Sequence, residues 1–437
     1  MRASLLTSAV SLALIASASA SAADDSASKP VHHRHHHKAA VVAAPANAGP
    51  NLQAELAMRD REIAELKSEL ANVETKLTDI EQRTDAQSVV NVQTAKDVET
   101  LQASAKKTDK LEKIVNDTTV GGRIFVDVTD LSQKSINRVT HVETKSAKQG
   151  FGLDVTRGYI TVTHNFNDIW SGNITTDFNF VNDPGAAETQ LFIKKAYIQG
   201  KFSDAFVFHA GSYDTPWIPY VESFEGYRYV DKMIVDRLGF GATADWGLNA
   251  NGKVADGMFD YSASALNGGG FKNPTRTKRM DFEARLGFAP IENTAIAVGG
   301  YSGDRGQETA TTNALHTATR GDAMIAYAKN NNRLGVEYFE ASNWNNVLTP
   351  ARDSANGWSA WGSFGFNEAW SVFGRYDRAK VSRDLDPSKV DRYFNLGLQY
   401  DVRKGIKVAA VYKNEDLRDN VAETKTNEFG IFGDIAF

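Results

Sequence analysis

Residues 214–237 mix opposed charge with aromatic surface more densely than any other connection in the chain. Glu222, Glu225 and Asp231 stand beside Arg228, Lys232 and Arg237, with Trp217, Tyr220, Phe224, Tyr227 and Tyr229 among them. Acids and bases facing each other across a narrow wet passage set up a transverse field that orients dipolar or charged solutes. The aromatic faces offer stacking surfaces for sugar rings. Covalent chemistry has no comparable foothold. There is no phosphate-cradling glycine loop with Lys-Ser/Thr, no His-Glu-x-x-His and no Gly-x-Ser-x-Gly, so no catalytic residue and no cofactor is expected. Cysteine is absent, which rules out disulfides and thiolate metal sites. A formal net charge of −5 gives nucleic acid no electrostatic purchase. The one metal candidate is weak: His32, His33, His35, His36 and His37 crowd together, but Arg34 and Lys38 beside them repel a cation. A solvated tether is the expected role of that tract.

The elements around the loop fall into four stretches. Arg2, the apolar run Ala9–Ala16 and the small residues Ala18-Ser19-Ala20 read as a secretory signal within residues 1–23. Residues 24–50 are acidic, then His-rich, then rich in Ala, Pro and Gly, the composition of a disordered linker. Residues 51–117 lack Gly and Pro and place Leu56, Ile63, Leu66, Leu70, Val73, Leu77 and Ile80 at heptad a and d positions. Only Arg59 interrupts the first cycles. The register continues through polar layers at Thr84, Gln87, Asn91 and Thr94 to Val98 and Leu101, and slips by one near Leu111. So narrow a stripe predicts a coiled coil, because a two-in-seven seam needs partner helices to cover it. From 118 to 437 the period changes to two, as in Phe282, Ala284, Leu286 and Phe288 alternating with Asp281, Glu283, Arg285 and Gly287.

About sixteen such segments follow, many near ten residues, the length of a tilted membrane-crossing strand. They span 121–130, 152–166, 169–181, 190–202, 205–213, 238–248, 257–267, 279–289, 293–302, 319–329, 332–342, 356–366, 369–381, 390–402, 405–415 and 427–437. Short connections such as Asn167-Asp168, Asn330-Asn331 and Arg403-Lys404 alternate with long ones at 131–151, 214–237, 268–278, 303–318, 343–355 and 416–426. No run of 18 apolar residues offers a membrane helix. The predicted fold is all-β: a transmembrane antiparallel β-barrel of about sixteen strands, preceded by an α-helical coiled coil. Trp170, Trp246, Tyr301, Trp344, Trp358, Trp370, Tyr400 and Tyr412 near strand ends are candidates for interfacial girdles. Strand parity turns Arg157, Arg285, Arg333 and Arg375 toward the lumen, since an arginine facing lipid at mid-membrane costs about 2–4 kcal/mol.

The barrel region resembles the phosphate-selective porin O and P family over roughly residues 119–437. The resemblance rests on Gly122-Arg-Ile-Phe-Val-Asp127, Arg157-Gly-Tyr-Ile-Thr-Val162, Lys195-Ala-Tyr-Ile-Gln-Gly200 and His209-Ala-Gly-Ser-Tyr-Asp-Thr-Pro-Trp217. Ala244-Asp-Trp-Gly247 and Ala265-Leu-Asn-Gly268 follow the same layout. It implies a sixteen-stranded, trimeric outer-membrane barrel, a passive diffusion channel for small hydrophilic solutes, with phosphate or other anions as candidates. Outer-membrane lipids and two further copies are the implied partners. The amphipathic last strand ending at Phe437 resembles the signal read by the barrel-assembly machinery. The N-terminal coiled coil, placed in the periplasm, is instead similar to the extension of some sugar porins. In porins of this shape the loop after strand five folds inward. The resemblance therefore makes 214–237 the constriction, with Glu222, Glu225, Arg228, Asp231, Lys232, Arg237, Tyr220 and Tyr227 as its working residues. The next long loop, with Lys272 and Arg276, is expected outside the narrowest point. The loop's balance of three acids against three bases predicts weak charge selectivity. Two other readings remain open here: a carbohydrate-preferring porin with an aromatic-lined constriction, and a periplasmic coiled-coil tether anchored by a barrel.

Overall fold

The computed structural model of the chain describes residues 50–147, 149–181 and 188–437. The expected signal peptide, the histidine tract and all of the expected linker but Pro50 lie outside them. Helix α1 runs Pro50–Asp117. Its apolar residues lie open: Leu56, Ile63, Leu66, Leu70, Val73, Leu77 and Ile80 are each exposed over about half their surface or more. Local bonds decorate its flanks, among them the Arg83–Asp79 pair at 3.0 Å and the Gln87 Nε2 to Asn91 Oδ1 bond at 3.0 Å. Such i,i+4 contacts support a helix by only tenths of a kcal/mol each. No described helix is long and apolar enough to cross a membrane, which says nothing about strands.

One antiparallel sheet holds all described strands. They are β1 Thr118–Asn137, β2 Glu143–Lys145, β3 Gly150–Asn165, β4 Trp170–Val181, β5 Glu188–Ser203, β6 Phe206–Asp214, β7 Ala244–Val254, β8 Phe259–Leu266 and β9 Asp281–Phe288. Then come β10 Thr294–Gly303, β11 Ala318–Lys329, β12 Asn332–Ser342, β13 Ser354–Gly365, β14 Trp370–Lys380, β15 Val390–Arg403, β16 Ile406–Arg418 and β17 Ala422–Ala436. The three-residue β2 is a flap on the first long connection, paired to β1. The other sixteen strands are staves. The sheet closes where β1 meets β17, from Arg123 opposite Ala436 to Asn137 opposite Ala422. Closure leaves no row of unpaired backbone groups, the condition for strands in lipid. The terminal Phe437 completes the seam: its N donates to Gly122 O at 3.0 Å and its O accepts from Gly122 N at 2.9 Å. The Phe437 ring lies against Gly122, where any Cβ would collide with it.

The alternation is inverted relative to a water-soluble sheet. On β9, Asp281, Glu283 and Arg285 are buried while Phe282 and Leu286 are exposed. On β11, Arg320 and Asp322 are buried and Ile325 is exposed. The interior is polar and the outer wall apolar, so the wall is suited to hydrocarbon. Ile160, Val162, Leu334 and Val336 stand on that outer wall as parity requires.

Three sequence expectations fail, each for a physical reason. The sixth segment begins at Ala244, not 238, and ends at Val254 in a tight turn where Ala255, Asp256 and Gly257 all take positive φ. Leu238 and Phe240 are apolar because the loop packs them inside the barrel, not because they alternate in a strand. The long connections 131–151 and 416–426 shrink, since β1 continues to Asn137 and β16 and β17 approach within three residues of each other. Beyond the apolar belt a strand needs no hydrophobic period, so its polar ends read as loop. Tyr301 and Trp344 are not girdle residues. Both are buried inside, with Tyr301 OH donating to Asp281 at 2.5 Å and Trp344 Nε1 to Gly239 O at 2.7 Å. Trp358, Trp370, Tyr400 and Tyr412 do lie on the exposed surface, while Trp170 and Trp246 are half-buried.

Candidate functional site

The connection from β6 to β7 runs inward. It carries helix α2, Ile218–Glu225, and the single turn α3, Ile234–Arg237. Gly226, at φ 84°, ends α2 in the left-handed conformation, its N–H returning to Glu222 O at 3.0 Å. One side of the loop is apolar and welded to the wall. Trp217, Ile218, Val221, Met233, Ile234 and Val235 pack with Met324, Phe339, Trp344 and Trp361. Further round, Tyr227 stacks on Phe373 at 3.9 Å, and Tyr229 OH donates to Gln399 at 2.8 Å.

Wall arginines satisfy the loop's backbone. Arg285 Nε donates to Pro216 O at 3.0 Å and also pairs with Asp260. Arg333 Nη1 donates to Ser223 O and Phe224 O at 2.9 and 2.8 Å, and Arg375 Nη2 to Lys232 O at 2.7 Å. In the reverse direction Arg237 reaches from the loop into a wall pocket of Asp377, Asp391 and Glu415, at 3.3, 2.5 and 2.5 Å. Glu225 lies 3.6 Å from Arg375 and accepts the Tyr227 N–H at 2.7 Å. Burial pushes its carboxyl up to about 7, against the pull of Arg375. Burial also pushes Asp231 up, but Lys413, Arg375 and Arg237 outweigh it and hold that carboxyl at about 2.

The opposite side of the loop faces strands β3 to β5 across open space. A cavity of about 1240 Å³ on the short-turn side is lined by Tyr220, Asp260, Arg285 and the turn residues Asp204 and Ala255. Another of about 820 Å³ lies toward the long loops, where Asp127, Asp154, Asp231 and Glu428 are matched by Arg157, Arg228, Lys232 and Lys413. The latter shares Arg157, Arg228 and Lys232 with a neck of only about 250 Å³. Into that neck project Arg157, Lys194, Arg228, Lys232 and Lys272, against the carboxylates of Asp177 and Asp236 alone. Arg157 pairs with Asp177 at 2.8 Å, and Arg228 with Asp236 at 3.3 Å and with Glu222 at 2.6 Å. Burial and the neighbouring Asp236 raise Glu222, while Arg228 pulls it down. Lys194 and Lys272 have no carboxylate within ion-pair distance among the described residues. Lys194 Nζ sits 4.6 Å from the Tyr159 ring centre, and Lys272 Nζ 4.3 Å from that of Phe192. Burial and the neighbouring Arg157 lower the Lys272 ammonium. Among the described residues no group of three His, Asp or Glu is placed to hold a metal ion.

The barrel is similar to the outer membrane channel DcaP of Acinetobacter baumannii, with a TM-score of 0.54 at 12% identity over 73% of this chain and 97% of that one. An anion-selective porin from Comamonas acidovorans aligns over 73% of this chain and 99% of its own at 10% identity, TM-score 0.48. OmpF of Salmonella typhi does so over 73% and 97% at 11% identity, TM-score 0.48. No protein-family model and no curated protein matches the sequence. At such identities the likeness is one of fold: a closed antiparallel β-barrel of sixteen staves.

The structure divides the sequence candidates into three groups. Arg228, Lys232 and Arg157 meet in the neck, with Glu222 behind them. Glu225, Arg237, Tyr227, Arg285, Arg333 and Arg375 hold the loop to the wall, and Tyr220 and Asp231 border the two larger cavities. Lys272 lines the same small cavity as Arg228 and Lys232, while Arg276 does not. Sequence reading missed Lys194 because the β4–β5 ladder skips it: Thr175 opposes Lys195 and Thr176 opposes Ile193. Such a bulge re-aims one side chain out of the period-two pattern. Its signal was the Lys194-Lys195 doublet, which strict alternation would have sent half into lipid.

Proposed function

We propose that the protein is an outer-membrane porin, a passive diffusion channel for small hydrophilic solutes that prefers anions. The neck carries the reading: five cationic side chains converge on it against two carboxylates. A passing anion gains there from the excess positive charge, in a confined space where screening is weak. Phosphate and other small anions are the solutes this chemistry favours. The loop's balance of three acids and three bases is not the charge a solute meets. Its acids Glu225 and Asp231 are engaged by Arg375 and Lys413, and three of the five neck cations come from outside the segment. The aromatic residues lend little to a sugar-preferring channel, because Trp217, Tyr227 and Tyr229 are buried against the wall.

The rest of the molecule fits this role. The signal sequence leads to export, and the apolar outer wall to the outer membrane. The last strand, ending at Phe437, is the segment for the barrel-assembly machinery to read. The open heptad stripe of α1 is a seam for the same helix of other copies, and a homotrimer with its coiled coil in the periplasm satisfies it.

Reversal potentials in planar bilayers under a KCl gradient test the selectivity. The natural protein should pass chloride in preference to potassium. Arg228→Glu with Lys232→Glu changes the formal charge at the neck by about four units and should turn the preference toward cations, more at low salt than at high. Lys272→Glu should shift it in the same direction, and Arg276→Glu should leave it nearly unchanged. Cation preference in the natural protein, or equal effects of Lys272→Glu and Arg276→Glu, would defeat the reading.

A further inference from the structure

The outer wall carries one charge arrangement that the closed barrel does not balance by itself. Arg378 on β14 stands directly opposite Arg392 on β15. Like charges facing each other across a ladder repel. Another such facing pair, Lys134 and Lys425 on β1 and β17, is compensated: Lys134 pairs with Glu143 at 3.0 Å and Lys425 with Glu423 at 3.0 Å. Arg378 and Arg392 have no ion pair or hydrogen bond among the described residues. Asp416 is opposite Arg392 on the far side, on β16, yet makes no ion pair with it. Lys380, one pleat above Arg378 on the same face, adds a third cation and is exposed, as Arg378 is.

The position of the pair says what could balance it. Parity puts Arg378 and Arg392 on the outward face, since Asp377 and Asp391 between their neighbours turn inward to Arg237. One pleat nearer the barrel middle, Tyr376 and Phe394 oppose each other, both exposed, and Tyr376 lies 5.4 Å from the Trp358 ring. Below them follow Leu396 and Leu398, also exposed. Arg378 and Arg392 therefore stand one two-residue step, about 7 Å, beyond Tyr376 and Phe394 along their strands, with Trp358 level with Arg378, at the edge of the apolar belt. That is the depth of lipid headgroups, at the long-loop end of the staves.

We propose that Arg378 and Arg392, with Lys380, form a binding site for the phosphate of an acidic lipid, its acyl chains lying down the Tyr376–Phe394 face. The inference rests on the membrane-embedded channel proposed above. Each guanidinium presents a planar fork that matches phosphate oxygens, and one phosphate between the two removes their repulsion. The site therefore works as a charge clamp across β14 and β15.

The test uses the full-length protein, delipidated in neutral detergent. Phosphatidylglycerol and phosphatidylcholine are titrated in separately and retention is read by native mass spectrometry. Phosphatidylglycerol should bind about tenfold tighter than phosphatidylcholine. Arg378→Gln with Arg392→Gln should abolish the difference, and millimolar inorganic phosphate should not displace the lipid. Equal phosphatidylglycerol binding by variant and natural protein would overturn the site, and full displacement by inorganic phosphate would recast it as a free-anion site. A second variant guards against misfolding. Arg378→Glu converts the facing pair into an attractive one, with only Trp358 opposite it on β13, so it should unfold at a higher temperature than the natural protein in lipid-free detergent and gain nothing from phosphatidylglycerol. An unfolding temperature at or below the natural one would overturn the claim of uncompensated repulsion. Conductance of the same preparations separates the two readings. A conducting barrel that shows no lipid preference loses only the site, and a folded barrel that keeps the preference but never conducts loses only the channel.

Discussion

Glu225 illustrates how one buried side chain can make the whole loop sensitive to pH. It is almost fully enclosed between the loop and β14, and burial pushes its carboxyl from an ordinary 4.5 to about 7. A carboxyl raised on folding favours the folded state most when protonated. Its contribution is therefore full below about 4.5 and is lost as pH rises through about 7. The separation corresponds to roughly 2–4 kcal/mol at 1.36 kcal/mol per pH unit. Denaturant unfolding of the barrel in detergent should show stability falling by that order between pH 5 and pH 8. Glu225→Gln keeps an acceptor for the Tyr227 N–H and should flatten the slope. A slope that persists unchanged in the variant would assign it to another group. Nothing in the sequence distinguishes Glu225 from Glu222, three residues earlier. Their different fates, one against Arg375 and one against Arg228, depend on how α2 lies in the barrel.

At the scale of elements, the loop is held by three kinds of bond that differ in what they leave behind when cut. The apolar face around Trp217 and Ile234 gives bulk adhesion, and the wall arginines cover carbonyl groups. Arg237 differs, because three carboxylates converge on it from β14, β15 and β16, with only Asp377 shared with Arg375. Arg237→Ala leaves those carboxylates facing each other, and breaking such a buried pair costs about 3–5 kcal/mol. The remaining anchors keep the loop inside, so the expected phenotype is a loosened α3 end: larger, flickering unit conductance in single-channel records, with a weakened anion preference. Steady conductance at the natural level would make Arg237 dispensable to the loop's position. The staves themselves were legible from residue types, because lipid outside and water inside impose a strict period of two. Segments predicted at 332–342 and 319–329 match β12 and β11 almost residue for residue. Legibility stopped wherever lipid no longer dictated the pattern: at the polar ends of β1, β16 and β17, at the bulge that turns Lys194, and along Leu238–Phe240. The neck suffered most, since Arg157, Lys194, Arg228 and Lys272 come from four separate stretches that only closure of the barrel brings together.

On the scale of the whole molecule, the chain joins two solutions to one problem, the burial of an apolar surface. The barrel turns its apolar face outward, and its hydrogen bonds close on themselves between β1 and β17. It therefore needs a bilayer but no second protein chain to satisfy its backbone. Helix α1 has no such independence. Leu66 and Leu70 belong to a stripe that remains open in the single chain, where nothing local covers it. Its i,i+4 pairs contribute tenths of a kcal/mol each, too little to order 68 residues in water. In the proposed oligomer, association of helices supplies the rest. Leu66→Asp with Leu70→Asp places two charges per chain in the proposed seam, where they repel their counterparts at close range. The oligomer seen in mild detergent should lose its helix-dependent stability, with a fall in helical circular dichroism. Barrel closure should be preserved, read as retention of heat-modifiable migration and of unit conductance, because no stave depends on the stripe for its ladder. If the double variant failed to close its barrel, the division near residue 118 would be wrong and the helix would have to act as a folding partner of the staves. An unchanged helical signal with an unchanged oligomer would instead show that the stripe is not the seam.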